Sequence, residues 1–475
     1  MNRQITRVFL IFVGLFTVLV VFTSRWTVFE ARSLQDKTAN RRPLLEAQRI
    51  PRGFVYADDG TKLATNRHTG KGETLRYYRT YPTGSLFSHA LGYAFISRGS
   101  AGIEKSYNRE LTGRQDEFKS LIDQLGGGTK QGDDVHTTLD PVAQRTALAA
   151  LGGQRGSIVA LDPSSGAIRV MASIPDYNPN DIPQRYGELN RDPTSPLFNR
   201  ATQARYPPGS TFKVVTAAAA IDSGRYTPNS FISGRNNKPI SGVPLQNDGG
   251  ADYGTISLTD ALTHSVNTVF GEVGEKLGKA TMFKYMRRFG FDSKLGLDYP
   301  SEEITASGVF KGQRLLDASN SIDIGRVAIG QERLQVTPLQ MAMVAAAVAN
   351  GGRLMEPRLV DRVTTPDGGL RSRNRPTERS VVMSEHAASE LAGMMTHVVQ
   401  EGTGTAGALQ GIDVAGKTGT AEVVNGAANQ AWFIAFAPVR DPKVAIAVTI
   451  ERTTGQGGTV AAPIAKQVME VLLRG

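Results

Sequence analysis

The sequence, 475 residues long, predicts an α+β fold. Short apolar segments of strand character occur at both ends of the region that begins at Asp140, and apolar, alanine-rich helical segments lie between them. Strands that come from both ends of one region, with helices inserted, are typical of α+β folds rather than of βαβ alternation. An apolar run near the N-terminus adds one predicted transmembrane helix.

The N-terminal segment, residues 1-30, is predicted to be a short cytoplasmic tail and a membrane anchor. Its apolar run, 8–23, is slightly shorter than the ~20 residues that span a bilayer. Snorkelling of Arg25 and an interfacial Trp26 extend the span to Phe29. A cleaved signal peptide has a similar layout, but no small-x-small site follows, so an uncleaved anchor is favoured. Flanking basic residues orient it weakly; the short tail favours an extracytoplasmic location for the remainder.

The second region, 31-139, is predicted to be a smaller domain of mixed secondary structure. Prolines at 43, 51 and 82 and the glycine run 126–128 interrupt it. A strand-like piece at 53–57 precedes a turn at 58–60. Because no titratable groups with catalytic spacing occur here, we expect a structural or positioning module.

The third region, 140-475, carries the α+β pattern. The predicted strands are 157–161, 167–173, 415–424, 431–437 and 444–450. The first two are joined by a D-P-S-S-G turn at 162–166. The predicted helices are 141–151, 212–221, 258–277, 338–349 and 461–473. We expect the strands to form one small sheet with the helices packed around it.

The composition excludes several chemistries. The chain has no cysteine, so a disulfide framework, a cysteine nucleophile and thiolate metal sites are excluded. Its six histidines form no H-E-x-x-H motif, so neither a metal nor a cofactor is predicted. A net charge of +10 fits nucleic acid, an anionic membrane, an anionic polymer or a solvated basic surface. Without any recognisable DNA-binding motif, no nucleic acid partner is predicted.

The first chemical motif is Y-P-P-G-S-T-F-K at 206–213. Pro-Pro-Gly stops the chain, and a helix that begins at or just after Ser210 places Ser210 and Lys213 about one turn apart. A serine is a weak nucleophile until a base takes its proton. Lysine is such a base only when desolvation or a nearby cation lowers its pKa. Alone, S-x-x-K also fits a helix-capping serine and a surface lysine.

Two further motifs follow in order. S-V-N at 265–267 is by itself no more than a helix cap or turn. K-T-G-T at 417–420 reads as a strand whose glycine lets another backbone approach closely. Its lysine could lower the pKa of the other lysine, and its threonine hydroxyls could bind a carboxylate. The order S-x-x-K, S-x-N, K-T-G is the signature of active-site serine penicillin-recognising enzymes, here with S-V-N in place of S-D-N.

The chain resembles class B penicillin-binding proteins, the monofunctional peptidoglycan D,D-transpeptidases, most closely the compact actinobacterial penicillin-binding protein A type. Further landmarks of that family run almost the whole length: Arg52-Gly53, Asp59-Gly60, Leu63-Ala64, Gly102-Ile103-Glu104, Thr138-Leu139-Asp140, Asn199-Arg200-Ala201, Gly330-Gln331 and Thr337-Pro338-Leu339-Gln340. The resemblance implies an antiparallel sheet with helices on both faces in 140-475, and a pedestal of the dimerisation type in 31-139.

The resemblance also implies a role for each motif residue. Ser210 would attack a D-alanyl-D-alanine carbonyl, and Lys213 would take its proton. The leaving D-alanine would be protonated through Lys213, Ser265 or Lys417, and Asn267 would bind the substrate amide. The backbone N–H groups of Ser210 and Thr420 would form the oxyanion hole. Thr418, Gly419 and Thr420 would hold the donor carboxylate, and β-lactams would acylate Ser210.

Other functions stay open from the residues alone. A D,D-carboxypeptidase would use the same site with water as acceptor. A β-lactamase needs a base for deacylation, and the sequence cannot place Glu272 or Glu275 in that role. A β-lactam sensor or an inactive scaffold is the non-enzymatic alternative. The resemblance further implies stem peptides and β-lactams as ligands, a membrane location and a polytopic glycosyltransferase partner.

Overall fold

The structure is a computed structural model that describes residues 3–25, 48–113, 131–422 and 428–474. Its helices, in chain order, are α1 Arg3–Ser24, α2 Ser88–Leu91, α3 Gly102–Ser106, α4 Asn108–Leu111, α5 Pro141–Leu151, α6 Ile182–Arg191, α7 Lys213–Asp222, α8 Leu258–Thr263, α9 Asn267–Arg288, α10 Ile324–Ala328, α11 Pro338–Ala349, α12 Glu385–Gln400 and α13 Ala462–Leu472.

The strands fall into two larger sheets and five small ones. In chain order they are β1 Val55–Tyr56, β2 Lys62–Thr69, β3 Arg76–Thr80, β4 Ala94–Phe95, β5 Gly99–Ser100, β6 Asp134–Thr137, β7 Gly156–Leu161, β8 Ile168–Ile174, β9 Phe231–Ser233, β10 Lys238–Ile240, β11 Val243–Leu245, β12 Thr255–Ser257, β13 Gly308–Lys311, β14 Arg314–Leu315, β15 Leu334–Gln335, β16 Arg353–Met355, β17 Val360–Thr364, β18 Leu370–Arg373, β19 Glu378–Val381, β20 Ala415–Glu422, β21 Asn429–Ala437 and β22 Val444–Thr453.

The N-terminal helix α1 has 22 residues, none of them buried. At 1.5 Å per residue it is about 33 Å long, which matches the hydrocarbon core of a bilayer. Among the described residues it is the one helix long and apolar enough to cross a membrane. The predicted continuation of the span through Trp26 to Phe29 lies outside the described residues, as do the glycine run 126–128 and the last two residues of the predicted strand 415–424.

The first large sheet has the strand order β18-β17-β6-β1-β2-β3. Four of its strands come from the segment between the anchor and Asp140, and β17 and β18 are contributed by residues 360–373. Beside it the buried carboxylate of Glu104 is paired with Arg79 and, at 2.8 Å, with Arg52. The domain limits 1-30, 31-139 and 140-475 remain a prediction. The sheet crosses the limit at residue 139, because its strands β17 and β18 come from the third region.

The second large sheet has the order β20-β21-β22-β7-β8 and is antiparallel throughout. Strands from both ends of the third region therefore share one sheet, and the predicted α+β class is confirmed. One face packs on α11 through residues such as Trp432 and Ile434. The other packs on α5 and α13 through residues such as Phe433 and Ile446. Alternate residues of one strand thus enter two separate cores.

The prediction of a single helix over 258–277 was wrong. The structure ends α8 at Thr263 and begins α9 at Asn267, and the connection is made by His264, Ser265 and Val266. Ser265 has a φ of 60°, the left-handed conformation that a helix interior does not tolerate. Apolar periodicity continues through the break, so the sequence pattern did not reveal it. This break turns the S-V-N motif into a corner between two helices, at which Val266 is buried and Ser265 and Asn267 are partly buried.

Candidate active site

Ser210 lies on a single 3-10 turn, Gly209–Phe212, that leads directly into α7. Gly209 has a φ of 53°, and a Cβ there would lie 2.7 Å from the Thr420 carbonyl oxygen. Only glycine allows both this conformation and this approach. The Pro-Pro-Gly segment thus sets the turn against the K-T-G strand β20 before the helix begins.

Three other parts of the chain fix this turn. The indole Nε1 of Trp432 on β21 donates to the Pro207 carbonyl at 3.0 Å. Tyr206 pairs with Val336 through two backbone hydrogen bonds, of 2.9 and 2.8 Å. The Gly209 N–H donates to the Gly330 carbonyl at 3.0 Å. Ser210 is therefore held on a rigid support and is only half-buried itself.

Lys213, the first residue of α7, is fully buried. Its Nζ donates to the Ser265 carbonyl at 2.6 Å, to Asn267 Oδ1 at 2.7 Å and to Ser265 Oγ at 3.2 Å. Burial first, and then the positive charge of Lys417, hold the pKa of Lys213 well below its ordinary value, while Asp248 opposes them. Both effects favour the neutral amine, the form that accepts a proton.

The left-handed corner at Ser265 directs its hydroxyl between two lysines. Lys417 lies on β20, is fully buried, and donates from Nζ to Ser265 Oγ at 3.0 Å and to the Thr418 carbonyl at 3.0 Å. Burial lowers the pKa of Lys417 to about 7. The Ser265 hydroxyl therefore connects Lys213 with Lys417, and protons can pass along this short chain at neutral pH.

The strand β20 forms the opposite wall of the site and is an edge of its sheet. Gly419 lies so close to the Ser210 turn that a Cβ would be 2.7 Å from the Pro208 carbonyl oxygen. Thr418 Oγ1 shares a 2.6 Å hydrogen bond with Thr403 Oγ1, and Thr420 Oγ1 accepts from the Gly457 N–H at 3.2 Å. Both threonine hydroxyls are therefore oriented by residues outside the motif.

All eight motif residues predicted for the site thus lie close together. Within the described ranges, however, no side-chain hydrogen bond reaches Ser210 Oγ, and Lys213 is engaged by Ser265 and Asn267 instead. Catalytic hydrogen bonds often form only with substrate in place. The sequence analysis missed Thr403, Gly457 and the loop at Gln246, whose carbonyl accepts from Asn267 Nδ2 at 2.9 Å. The only sequence signal was the glycine-rich stretch 455–458.

The described part of the chain contains no group of three or more His, Asp or Glu side chains that could hold a metal ion. What the arrangement offers is a hydroxyl, a desolvated amine of lowered pKa, and a second amine connected to the first through a serine. The backbones of a tight turn and an edge strand approach each other closely beside them. Such a set suits acyl transfer through a serine ester.

Two family models match the sequence. Residues 156–470 match the penicillin binding protein transpeptidase domain, and residues 52–135 match the penicillin binding protein A dimerisation domain. A curated relative, the peptidoglycan D,D-transpeptidase PbpA of Mycolicibacterium smegmatis, is 35% identical, and the match covers 100% of this chain and 99% of the relative.

Solved structures give the same result. Penicillin-binding protein A of M. tuberculosis, as its ceftriaxone acyl-enzyme complex, superposes with a TM-score of 0.81 and 33% identity, over 90% of this chain and 100% of that one. The D,D-transpeptidase domain of a peptidoglycan glycosyltransferase from Eggerthella lenta gives a TM-score of 0.79 and 35% identity, over 90% of this chain and 99% of that one.

Proposed function

This chain belongs to the class B penicillin-binding protein transpeptidases, and from that premise we propose that Ser210 is the residue acylated in its reaction. The protein is a peptidoglycan D,D-transpeptidase, which binds peptidoglycan peptides and β-lactams. The observation that carries the assignment is the buried Lys213–Ser265–Lys417 chain at the start of the Ser210 helix. It places an amine of lowered pKa one helical turn from the nucleophile, which needs a base.

In the acylation step, Ser210 Oγ attacks the carbonyl carbon of the penultimate D-alanine and gives its proton to Lys213 Nζ. The peptide C–N bond then breaks, and a serine ester forms. The departing nitrogen takes a proton from Ser265 Oγ, which is replenished from Lys213, so the lysine ends neutral again. Lys417 keeps Ser265 oriented at 3.0 Å and maintains the low pKa of Lys213 by its charge.

The developing oxyanion is bound by the N–H groups of Ser210 and Thr420, which the close approach at Gly209 brings together. One such donor is worth ~3–4 kcal/mol in the serine-protease case. Thr418 and Thr420, oriented by Thr403 and Gly457, bind the terminal carboxylate of the donor. Asn267 uses one amide N–H on Gln246, and its second N–H is left to bind the substrate amide.

In the second step an amine of a neighbouring stem peptide attacks the ester carbonyl. Its surplus proton passes to Lys213 and from there to Ser210 Oγ, so the free enzyme is restored and the cross-link is formed. A β-lactamase would instead need a carboxylate base near the ester. Glu272 is bound by Lys238 and Lys276, and Glu275 accepts from the Ser241 N–H. Both are engaged on the β10–β11 hairpin side of α9.

We assign α1 to a single-pass anchor, with the sheet domains outside the cytoplasm. Its length and its lack of buried residues support a span. An alkaline phosphatase fusion after Phe29 should be active, and an inactive fusion would reverse the orientation. We further propose a polytopic glycosyltransferase as partner, met by the anchor and pedestal. Replacing residues 1–29 by an unrelated span should weaken co-purification of the two proteins; unchanged recovery would remove the anchor from the interface.

The decisive experiment is labelling with a fluorescent penicillin followed by peptide mapping. The label should map to the peptide that contains Ser210, and Ser210→Ala should abolish it. Ser223→Ala, at the far end of α7, removes a serine that only bonds the Ala220 carbonyl and should label normally. Persistent labelling of Ser210→Ala would refute the assignment.

A further inference from the structure

The loop beside the S-V-N corner, residues 246–251, is built around a buried asparagine whose role is not part of the steps above. Asn247 is 3% exposed. Its Nδ2 donates to the carbonyls of Gly234 and Ala251, both at 2.9 Å. Its Oδ1 accepts from the Thr268 N–H at 3.0 Å and from Thr268 Oγ1 at 3.1 Å. All four hydrogen-bonding positions of the amide are therefore used.

The bonds to Thr268 replace a helix cap. The first N–H groups of any helix lack partners within it. At the start of α9 the N-cap position is occupied by Val266, which has no side chain able to cap. Asn247 supplies this function from a different segment and so ties the 246–251 loop to the first turn of the helix.

The same loop determines the orientation of the Asn267 side-chain amide. The Gln246 carbonyl accepts from Asn267 Nδ2 at 2.9 Å, so Oδ1 is turned toward Lys213, whose Nζ donates to it at 2.7 Å. An amide turned the other way would remove the oxygen that accepts from Lys213 Nζ and place an NH₂ group there instead. It would also direct the oxygen toward Gln246 and leave the substrate amide without its partner.

We propose that Asn247 is a positioning residue of the transpeptidase reaction. By clamping the 246–251 loop to α9 it fixes the Gln246 carbonyl, and through that carbonyl the orientation of the Asn267 amide between Lys213 and the substrate. The proposal rests on the function proposed for this site. It assigns Asn247 no contact with substrate and makes its influence dependent on Asn267.

The dependence on Asn267 gives the test, a double-mutant cycle on the acylation rate with fluorescent penicillin. Asn247→Ala should slow acylation about 10- to 100-fold, since a misplacement of about 1 Å is enough for this. In an Asn267→Ala background, itself followed over longer labelling times, the same substitution should have no further effect. An equal loss in both backgrounds would mean a general structural role and would overturn the proposal.

Two variants separate positioning from folding. Asn180→Ala breaks another amide clamp, partly buried, to the N–H and carbonyl of Tyr81, and should leave the acylation rate within about two-fold in either background. Asn247→Asp keeps both acceptor bonds to Thr268 but loses both donors. Its second oxygen then faces two carbonyls, which costs stability in a buried position, and the variant should acylate slowly. A wild-type rate in Asn247→Asp would refute the loop clamp even if the alanine variant failed to fold.

Failure of the proposed function would look different. If the wild-type protein is not labelled at Ser210, the function of the site is wrong whatever Asn247 does. If the wild-type protein is labelled there and Asn247→Ala reacts at an equal rate, only the positioning role is lost.

Discussion

Substitution of Gly209 tests whether the contact between the Ser210 turn and β20 sets the reaction geometry. An alanine Cβ would lie 2.7 Å from the Thr420 carbonyl oxygen, whereas an ordinary Cβ contact begins at 3.4 Å. The turn and the strand must therefore separate by roughly 0.7 Å, a shift that acts on both oxyanion donors at once. The positive φ of 53° adds a strain of about 1–2 kcal/mol.

We expect Gly209→Ala to acylate about 10- to 100-fold more slowly with fluorescent penicillin, because misplacement by a large part of an ångström weakens both donors together. Gly224→Ala is the matched control. Gly224 has a φ of 69°, but a Cβ there meets nothing within 4 Å. Both variants should therefore lose comparable thermal stability from strain, while only Gly209→Ala loses rate. Equal acylation rates in the two variants would refute the reasoning that the close approach is required.

Three further predictions concern the surroundings of the site. Lys417→Met removes the cation that, together with burial, lowers the pKa of Lys213. The pKa of Lys213 should therefore rise, and the acidic limb of the pH–acylation profile should move to higher pH. An unmoved limb would contradict an electrostatic coupling between the two lysines. Thr403→Val should slow acylation by carboxylate-bearing β-lactams about five-fold, the value of one net hydrogen bond, and a parallel loss with an uncharged ester would contradict carboxylate orientation. Burial would raise the pKa of Glu104, but Arg79 and Arg52 lower it overall. The pairing therefore contributes stability at pH values above the ordinary glutamate pKa of 4.5, and this stability is lost as the pH falls. Glu104→Gln should lose about 3–5 kcal/mol at neutral pH and less in acid, as measured by denaturant unfolding.

The sequence predicted the catalytic sheet and its helices well because their signals are local. Helix 338–349 matches to the residue, since Thr337 caps it by accepting from the Gln340 N–H and Pro338 occupies its first turn. The strand β21 is apolar on both faces because it enters two cores, and such a run is readily recognised.

What the sequence could not predict depends on contacts between distant segments. The break at Ser265 is held by Lys213, by Lys417 and by the cap from Asn247, none of which leaves a mark near residue 265. Thr403 reaches Thr418 only when α12 and β20 have been brought together. The three motifs identified the chemistry by their order, but the residues that orient them come from loops without a pattern of their own.

The hairpin of β17 and β18 belongs to the third region of the chain but pairs with β6 of the second, so it joins the two regions in one sheet. Val363 pairs with Val135 and Thr364 with Asp134, so removal of the segment before Asp140 would strip β17 of its neighbour β6. A truncated catalytic half would then present an unpaired strand edge, a template for self-association. A minimal enzyme engineered from this chain should therefore retain the pedestal. The two sheet regions should also unfold together, in a single cooperative transition.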